Sequence, residues 1–265
     1  MPELHPVLVA LGLTLFAGAA TALGGLLAVV GRTPGPRGLS LGLGLAGGVM
    51  ISVSFMEILP EATEGLVPDF GDWAGTAMLV GFLAGVGSFL LLDRFLPERV
   101  QLEEREDGAP VTGRDRRMLR LGLVTAVGIG LHNLPEGFAT FAATLSDPTV
   151  GLALATAMAI HNIPEGLAVA VPVRQATGSR GKALGWAALT GLAEPVGALV
   201  GYLVLAPILT DALLAMLFAA VAGIMVVISL DKLLPAAREA GGARVALTGM
   251  LVGMVAMMVS LDMLH

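Results

Sequence analysis

Eight apolar stretches follow one another along this chain, each near the roughly 20 residues that a helix needs to cross a hydrocarbon core. They run roughly over 6–30, 38–60, 73–96, 118–145, 149–172, 183–208, 211–235 and 244–263. This pattern restricts the fold severely. Lipid offers no hydrogen bonds to the backbone, and a helix that satisfies its own polar groups can span it at this length. Composition agrees. Of 265 residues, 55% are hydrophobic and only 14% are charged, against about 25% in soluble domains. An all-α integral membrane protein is expected, and a soluble fold is excluded.

The basic residues test the count. Arg32 and Arg37 follow the first span. Arg94, Arg99, Arg105, Arg114, Arg116, Arg117 and Arg120 lie around the third connection. Arg174, Arg180 and Lys182 follow the fifth span, and Lys232, Arg238 and Arg244 the seventh. These are all 15 basic residues of the protein. The other connections carry acids (Glu64, Asp69, Asp72, Asp147, Asp211). Basic residues stay on the cytoplasmic side, so eight crossings with both termini outside are expected. The first span has no basic residue before it, which reads as a retained helix and not a cleaved signal. The one long connection, about 97–117, mixes charges with Gly and Pro and is expected to be a mobile cytoplasmic loop. With no cysteine, neither a disulfide framework nor a thiolate metal site can form.

Two stretches resemble each other. "GVMISVSFMEILPEATE" from Gly48 and "GIMVVISLDKLLPAARE" from Gly223 share Met50/Met225, Ser54/Ser229, Pro60/Pro235 and Glu64/Glu239 at a constant spacing of 175. Five crossings separate the two, so they run in opposite directions. That is the mark of an inverted repeat, as carriers use. The natural partition sets spans 1–3 against spans 6–8, with spans 4 and 5 between.

Spans 4 and 5 carry "HNLPEG" at 132–137 and "HNIPEG" at 161–166. Ionisable residues inside a membrane point to function. Of the four histidines, His5 and His265 are terminal, and the other two fall in these motifs. On a helix, Glu136 lies about 40° from His132, and Asn133 about 100° from it, so the carboxylate sits between the two. The same holds for His161, Asn162 and Glu165. Facing antiparallel helices would then form a His/Glu cluster beside an Asn pair, with room for one ion or two. Pro135 and Pro164 also release the carbonyls of Leu131 and Ile160. Imidazole with carboxylate suits Zn²⁺, Fe²⁺, Mn²⁺, Co²⁺, Ni²⁺ or Cd²⁺; an all-oxygen Mg²⁺ or Ca²⁺ cage has no need of histidine. Glu194 beside Pro195 is a further candidate ligand. Met50 and Glu57 share a face of span 2 and are candidates along the path. Glu61, Glu64, Asp69 and Asp72 suggest an acidic vestibule. Asp231 and Lys232 either pair or meet water.

Three functions compete: a metal carrier, an intramembrane zinc metallohydrolase, and a metal-gated channel or receptor. A zinc protease wants HExxH, and here Asn follows each His. A closed structural site holds its ion tightly, whereas a pathway must release it. The inverted repeat favours a carrier.

At these residues the chain resembles the ZIP (Zrt/Irt-like) metal transporters, and within them a bacterial branch. "HNLPEGFATF", "HNIPEGLAVA", "GGVMISVSFMEILPEA" and "GLAEPVGA" carry the resemblance, which covers essentially the whole chain. It implies a single transmembrane domain over 1–265, with eight helices in a 3+2+3 arrangement. It implies a bacterial plasma (inner) membrane location and no enzymatic activity. The expected action is zinc uptake into the cytoplasm by an elevator-like shift of one helix bundle. A first metal site maps to His132, Glu136, His161 and Glu165. A second maps to Asn133, Asn162, Glu136, Glu165 and Glu194, with Met50 at the entrance side and Glu57 at a variable path position. The expected partners are a divalent cation and the lipid bilayer, with no nucleic acid and no prosthetic group. Small-residue faces suit either a homodimer or internal packing. The long loop holds no histidine, so a His-rich sensing loop is absent.

Overall fold

The computed structural model describes residues 4–30, 35–95, 101–102, 104–205 and 210–264. Arg32, Arg99 and His265, counted above, lie outside them, as do parts of the long loop. The described residues are helical almost throughout. The chain forms α1 (Leu4–Val29) and α2 (Pro36–Val53), then a π-helical turn (Ser54–Ile58) and α3 (Leu59–Phe70). After a 3₁₀ turn (Gly71–Trp73) come α4 (Ala74–Phe95), α5 (Gly113–Ser146) and α6 (Pro148–Thr177). Next are α7 (Arg180–Gly191), α8 (Ala193–Val200) and a second π turn (Gly201–Leu205). The chain closes with α9 (Asp211–Val227), a third π turn (Ile228–Leu233), α10 (Leu234–Gly241) and α11 (Ala243–Leu264).

Local chemistry sets the element ends. Thr112 and Asp115 make a reciprocal capping box at the start of α5. Asp147 ends α5 and caps α6, accepting from the Thr149 amide at 2.7 Å, so the two motif-bearing helices form a hairpin with a one-residue hinge. Gly178, at φ +68°, closes α6 in the left-handed region that glycine tolerates. Ser179 caps α7 by accepting from the Lys182 amide at 3.2 Å.

The two similar stretches adopt the same irregular backbone. Leu59 N–H donates to the Ser54 carbonyl and Leu234 N–H to the Ser229 carbonyl, each five residues back. The next residue is proline in both, which lacks an N–H and would press on a carbonyl four residues earlier. The wider turn relieves that contact. Ser54 Oγ and Ser229 Oγ both donate to the carbonyl four residues back, Met50 and Met225, at 2.8 Å. α5 and α6, by contrast, run on as helix through Pro135 and Pro164.

The helices pack in two groups. α1 lies against α6 and α7, and α5 against α6 and α8. α2 lies against α11 and α10, and α9 against α4 and α3. Glycine lets these backbones touch: a methyl on Gly48 would strike the Met250 carbonyl, and one on Gly223 the Phe82 carbonyl. Outward faces are apolar, with Leu15, Leu83, Leu203 and Leu251 all more than half exposed.

Among the described residues, six continuous helical stretches are long and apolar enough to cross a membrane. One of them, Pro36–Phe95, is 60 residues long and is broken at Gly71. α5 is outside this set; its middle carries His132, Asn133, Pro135 and Glu136. The long loop departs from expectation. Its described part is docked, because Arg105 donates to Asp107 at 2.6 Å, Asp115 at 2.8 Å and the Gln175 carbonyl at 2.8 Å. One guanidinium thus caps the open C-terminal carbonyls of α6. Arg174, placed above in a loop, lies inside α6, buried, and donates to the Ala28 carbonyl at 2.6 Å.

Candidate metal centre

The α5–α6 hairpin brings both motifs together inside the first helix group. His132, Asn133, Glu136, His161, Asn162, Glu165 and Glu194 are each no more than 1% exposed. The pairing is crosswise. His132 Nε2 lies 3.1 Å from Glu165 Oε1, and His161 Nε2 lies 3.9 Å from Glu136 Oε2. Each histidine thus meets the carboxylate of the other helix, and not the one four residues on in its own. The four residues that the helical wheel groups together thus meet as two close cross-helix pairs. Among the described residues, no three His, Asp or Glu side chains converge closely enough to hold one ion.

The asparagines have a fixed orientation. Asn133 Nδ2 donates to the Thr190 carbonyl at 3.1 Å, and Asn162 Nδ2 to the Ala17 carbonyl at 2.9 Å. Asn162 Nδ2 also donates to Glu194 Oε1. A carbonyl accepts only from the amide nitrogen, so each Oδ1 is turned away from that contact. Both Oδ1 atoms are buried without a hydrogen-bond partner among the described residues. So are both oxygens of Glu136 and one each of Glu165 and Glu194. An unmet buried polar group costs about 1–3 kcal/mol, so this concentration of acceptors is expensive unless a cation or water fills it.

Close helix contact makes the arrangement possible. A methyl on Gly137 would strike the Glu194 carbonyl, and one on Gly166 the Thr21 carbonyl. A methyl on Gly18 would strike Gly191, and the reverse. Gly24 meets the Ile163 carbonyl and Gly197 the Leu134 carbonyl in the same way. The contacts at residues 17, 18 and 24 of α1 recur 173 positions later, at 190, 191 and 197. The matching partners on α5 and α6 are 29 apart. Sequence reasoning missed this second repeat, although the Gly-x₅-Gly spacing at Gly18/Gly24 and Gly191/Gly197 carried the signal.

The remaining candidates divide. Glu57, in the first π turn, joins Glu61, Glu136, Met158, His161 and Phe218 around a small cavity. Met50 is fully buried in the apolar core and does not line that cavity. Lys232 pairs with Asp231 at 2.8 Å, as one of the two expectations had it, and with Asp93 at 2.6 Å. Asp93 also accepts from Arg120 of α5 at 2.8 Å. The sequence reading passed over Asp93, because an acid beside Arg94 at a helix end looks solvated.

A family model described as ZIP Zinc transporter matches residues 101–261. The chain is 52% identical over 259 residues to "Zinc transporter ZupT" of Corynebacterium efficiens, covering 96% of this chain and 97% of that one. It is 48% identical to the protein of the same name from Lysinibacillus sphaericus, with 97% and 98% covered. For the one from Campylobacter jejuni the identity is 45%, with 97% of each chain covered. Identity of this extent, with the paired HNxPEG motifs on one buried helix hairpin, makes the chain a member of the ZIP family, a multi-pass membrane protein and not an enzyme.

Proposed function

We propose that this protein carries Zn²⁺ through the membrane and into the cytoplasm by way of the α5–α6 hairpin. The names of its relatives support zinc as cargo. The observation that carries the reading is the set of buried acceptors on Glu136, Glu165, Glu194, Asn133 and Asn162 that have no hydrogen-bond partner among the described residues. These oxygens, with the His132 and His161 rings, form a donor set that suits Zn²⁺ and also Fe²⁺, Mn²⁺, Co²⁺ or Cd²⁺. In this reading the His132–Glu165 and His161–Glu136 pairs close together on the ion, so that His132, Glu136, His161 and Glu165 make the first ion position. Asn133, Asn162 and Glu194, with the same two glutamates, form the second. Glu57 hands the ion inward from the outer side, with Met50 about two turns away along the same helix. Several ligands that each hold weakly let an ion leave.

The topology in this reading is eight crossings in a 3+2+3 inverted repeat with both termini outside. Four features support it: the paired π turns, the contacts repeated between α1 and α7–α8, the confinement of basic residues to alternate connections and the helix ends beside them, and the break at Gly71 that divides the 60-residue stretch in two. Alternating access then means movement of α1, α5, α6 and α7–α8 against α2–α4 and α9–α11.

Zinc flux into proteoliposomes tests the function, with His132→Ala and Glu165→Ala as controls. Accumulation in wild-type vesicles that both variants lose is the expected result. Vesicles that bind zinc yet never accumulate it would overturn the carrier reading.

A further inference from the structure

The repeat around the hairpin singles out a residue that the ligand set leaves unused. In the 173-residue correspondence, the position matching Glu194 is Thr21 of α1. The geometry agrees at backbone level. The Thr21 carbonyl lies against Gly166, which follows Glu165, as the Glu194 carbonyl lies against Gly137, which follows Glu136. A methyl on Gly191 would sit 3.1 Å from Thr21 Cβ, and one on Gly18 would sit 3.5 Å from Glu194 Cβ.

Thr21 is fully buried, and its hydroxyl has no hydrogen-bond partner among the described residues. A helical threonine ordinarily bonds back to its own helix. Thr63, Thr144, Thr156 and Thr177 do so, each donating to the carbonyl four residues earlier. For Thr21 that carbonyl belongs to Ala17, and Asn162 Nδ2 already occupies it. The contact that turns the Asn162 oxygen toward the site thus takes the ordinary acceptor of the Thr21 hydroxyl, which joins Thr125 and Thr140 as buried threonines without a hydroxyl partner among the described residues. Across the local two-fold, Asn133 holds the Thr190 carbonyl, and the residue four on is Glu194.

We infer that Thr21 is a further cation-binding residue: its hydroxyl oxygen contacts the divalent ion at the second position, opposite Glu194. This rests on the reading above that such a position exists among Asn133, Asn162 and Glu194. All four helical segments of the group then supply an oxygen to it. The hydroxyl is a neutral donor where the mirror position has an acid. The set thus holds three carboxylates and not four, a weaker negative field that favours release of the ion.

The test is Zn²⁺ titration of the full-length protein in nanodiscs by calorimetry, with a count of bound metal after desalting. Glu194→Gln marks the second position and His132→Ala the first. Thr21→Val keeps shape and removes the oxygen. It is expected to weaken the Glu194-dependent step by about tenfold or more and to leave the His132-dependent step unchanged. Thr21→Ser is expected to bind as wild type does. If Thr21→Val does not fold, Thr21→Ala takes its place with the same expected loss. Wild-type affinity at both steps in the oxygen-free variant overturns the assignment, as does equal weakness in Thr21→Ser, which indicates packing alone. A wild-type protein without any Glu194-dependent step overturns the second position itself.

Discussion

Asn133 and Asn162 occupy matching places in the repeat, yet they should not be equally costly to remove. Leucine is close in size to asparagine and lacks both polar atoms. Asn133→Leu removes one buried hydrogen bond, to the Thr190 carbonyl at 3.1 Å. Asn162→Leu removes two, to the Ala17 carbonyl at 2.9 Å and to Glu194 Oε1. The second also strips a fully buried carboxyl of its one hydrogen-bond donor among those described. A buried group left without its partner costs about 1–3 kcal/mol. Asn162→Leu should therefore be less stable than Asn133→Leu by about that amount. Urea unfolding of each variant in mixed micelles, with EDTA present, reads the difference. Equal midpoints, or a lower midpoint for Asn133→Leu, would refute the assigned hydrogen bonds and with them the oriented amide oxygens.

Gly137→Ala and Gly166→Ala should each destabilise by about 1–3 kcal/mol, because the added methyl meets a backbone carbonyl in both; tolerance of either in a thermal-shift assay contradicts the close contact. Asp93→Asn leaves Lys232 and Arg120 without their shared acid. Since Arg120 lies in the first helix group and Lys232 in the second, faster hydrogen exchange where the groups meet is the expected result. In the docked loop, the hydrogen bond from Arg105 holds Asp107 well below the usual carboxylate range, at about 2. A lowered carboxyl value stabilises the docked form above about pH 3.9, the unfolded value, and that stabilisation is lost as pH falls toward 2. Proteolysis at residues 104–112 should accordingly rise below about pH 4 and not between pH 5 and 8. Unchanged cleavage across the acid range would contradict the Arg105 contact.

Much of this fold was legible in sequence because its strongest constraints are one-dimensional. Apolar length located the helices, and the Ser and Pro shared at 54/229 and 60/235 marked as similar the two stretches that turn out to share an irregular turn. The six polar residues of the hairpin motifs and Glu194 of α8 are all buried. What the sequence did not carry was rotation between helices. Wheel angles within α5 set Glu136 near His132, but the rotation of α6 about its own axis decides that His132 meets Glu165 instead. The docked loop was hidden for a related reason: Arg105 finds its acceptors at the end of α6, some 70 residues away in the chain. Thr21 went unseen because a lone threonine in an apolar helix looks ordinary. Its tie to the site is the Ala17 carbonyl four residues back, which accepts from Asn162.

The central claim is that the cargo ion is held by histidine and carboxylate at mid-membrane. Zinc K-edge absorption on the loaded protein in nanodiscs tests it most directly. A mixed first shell is expected, with imidazole nitrogen at about 2.0–2.1 Å that vanishes when His132 and His161 are both replaced by alanine. An all-oxygen shell that is the same in wild type and in the double variant would place the ion elsewhere and contradict the claim.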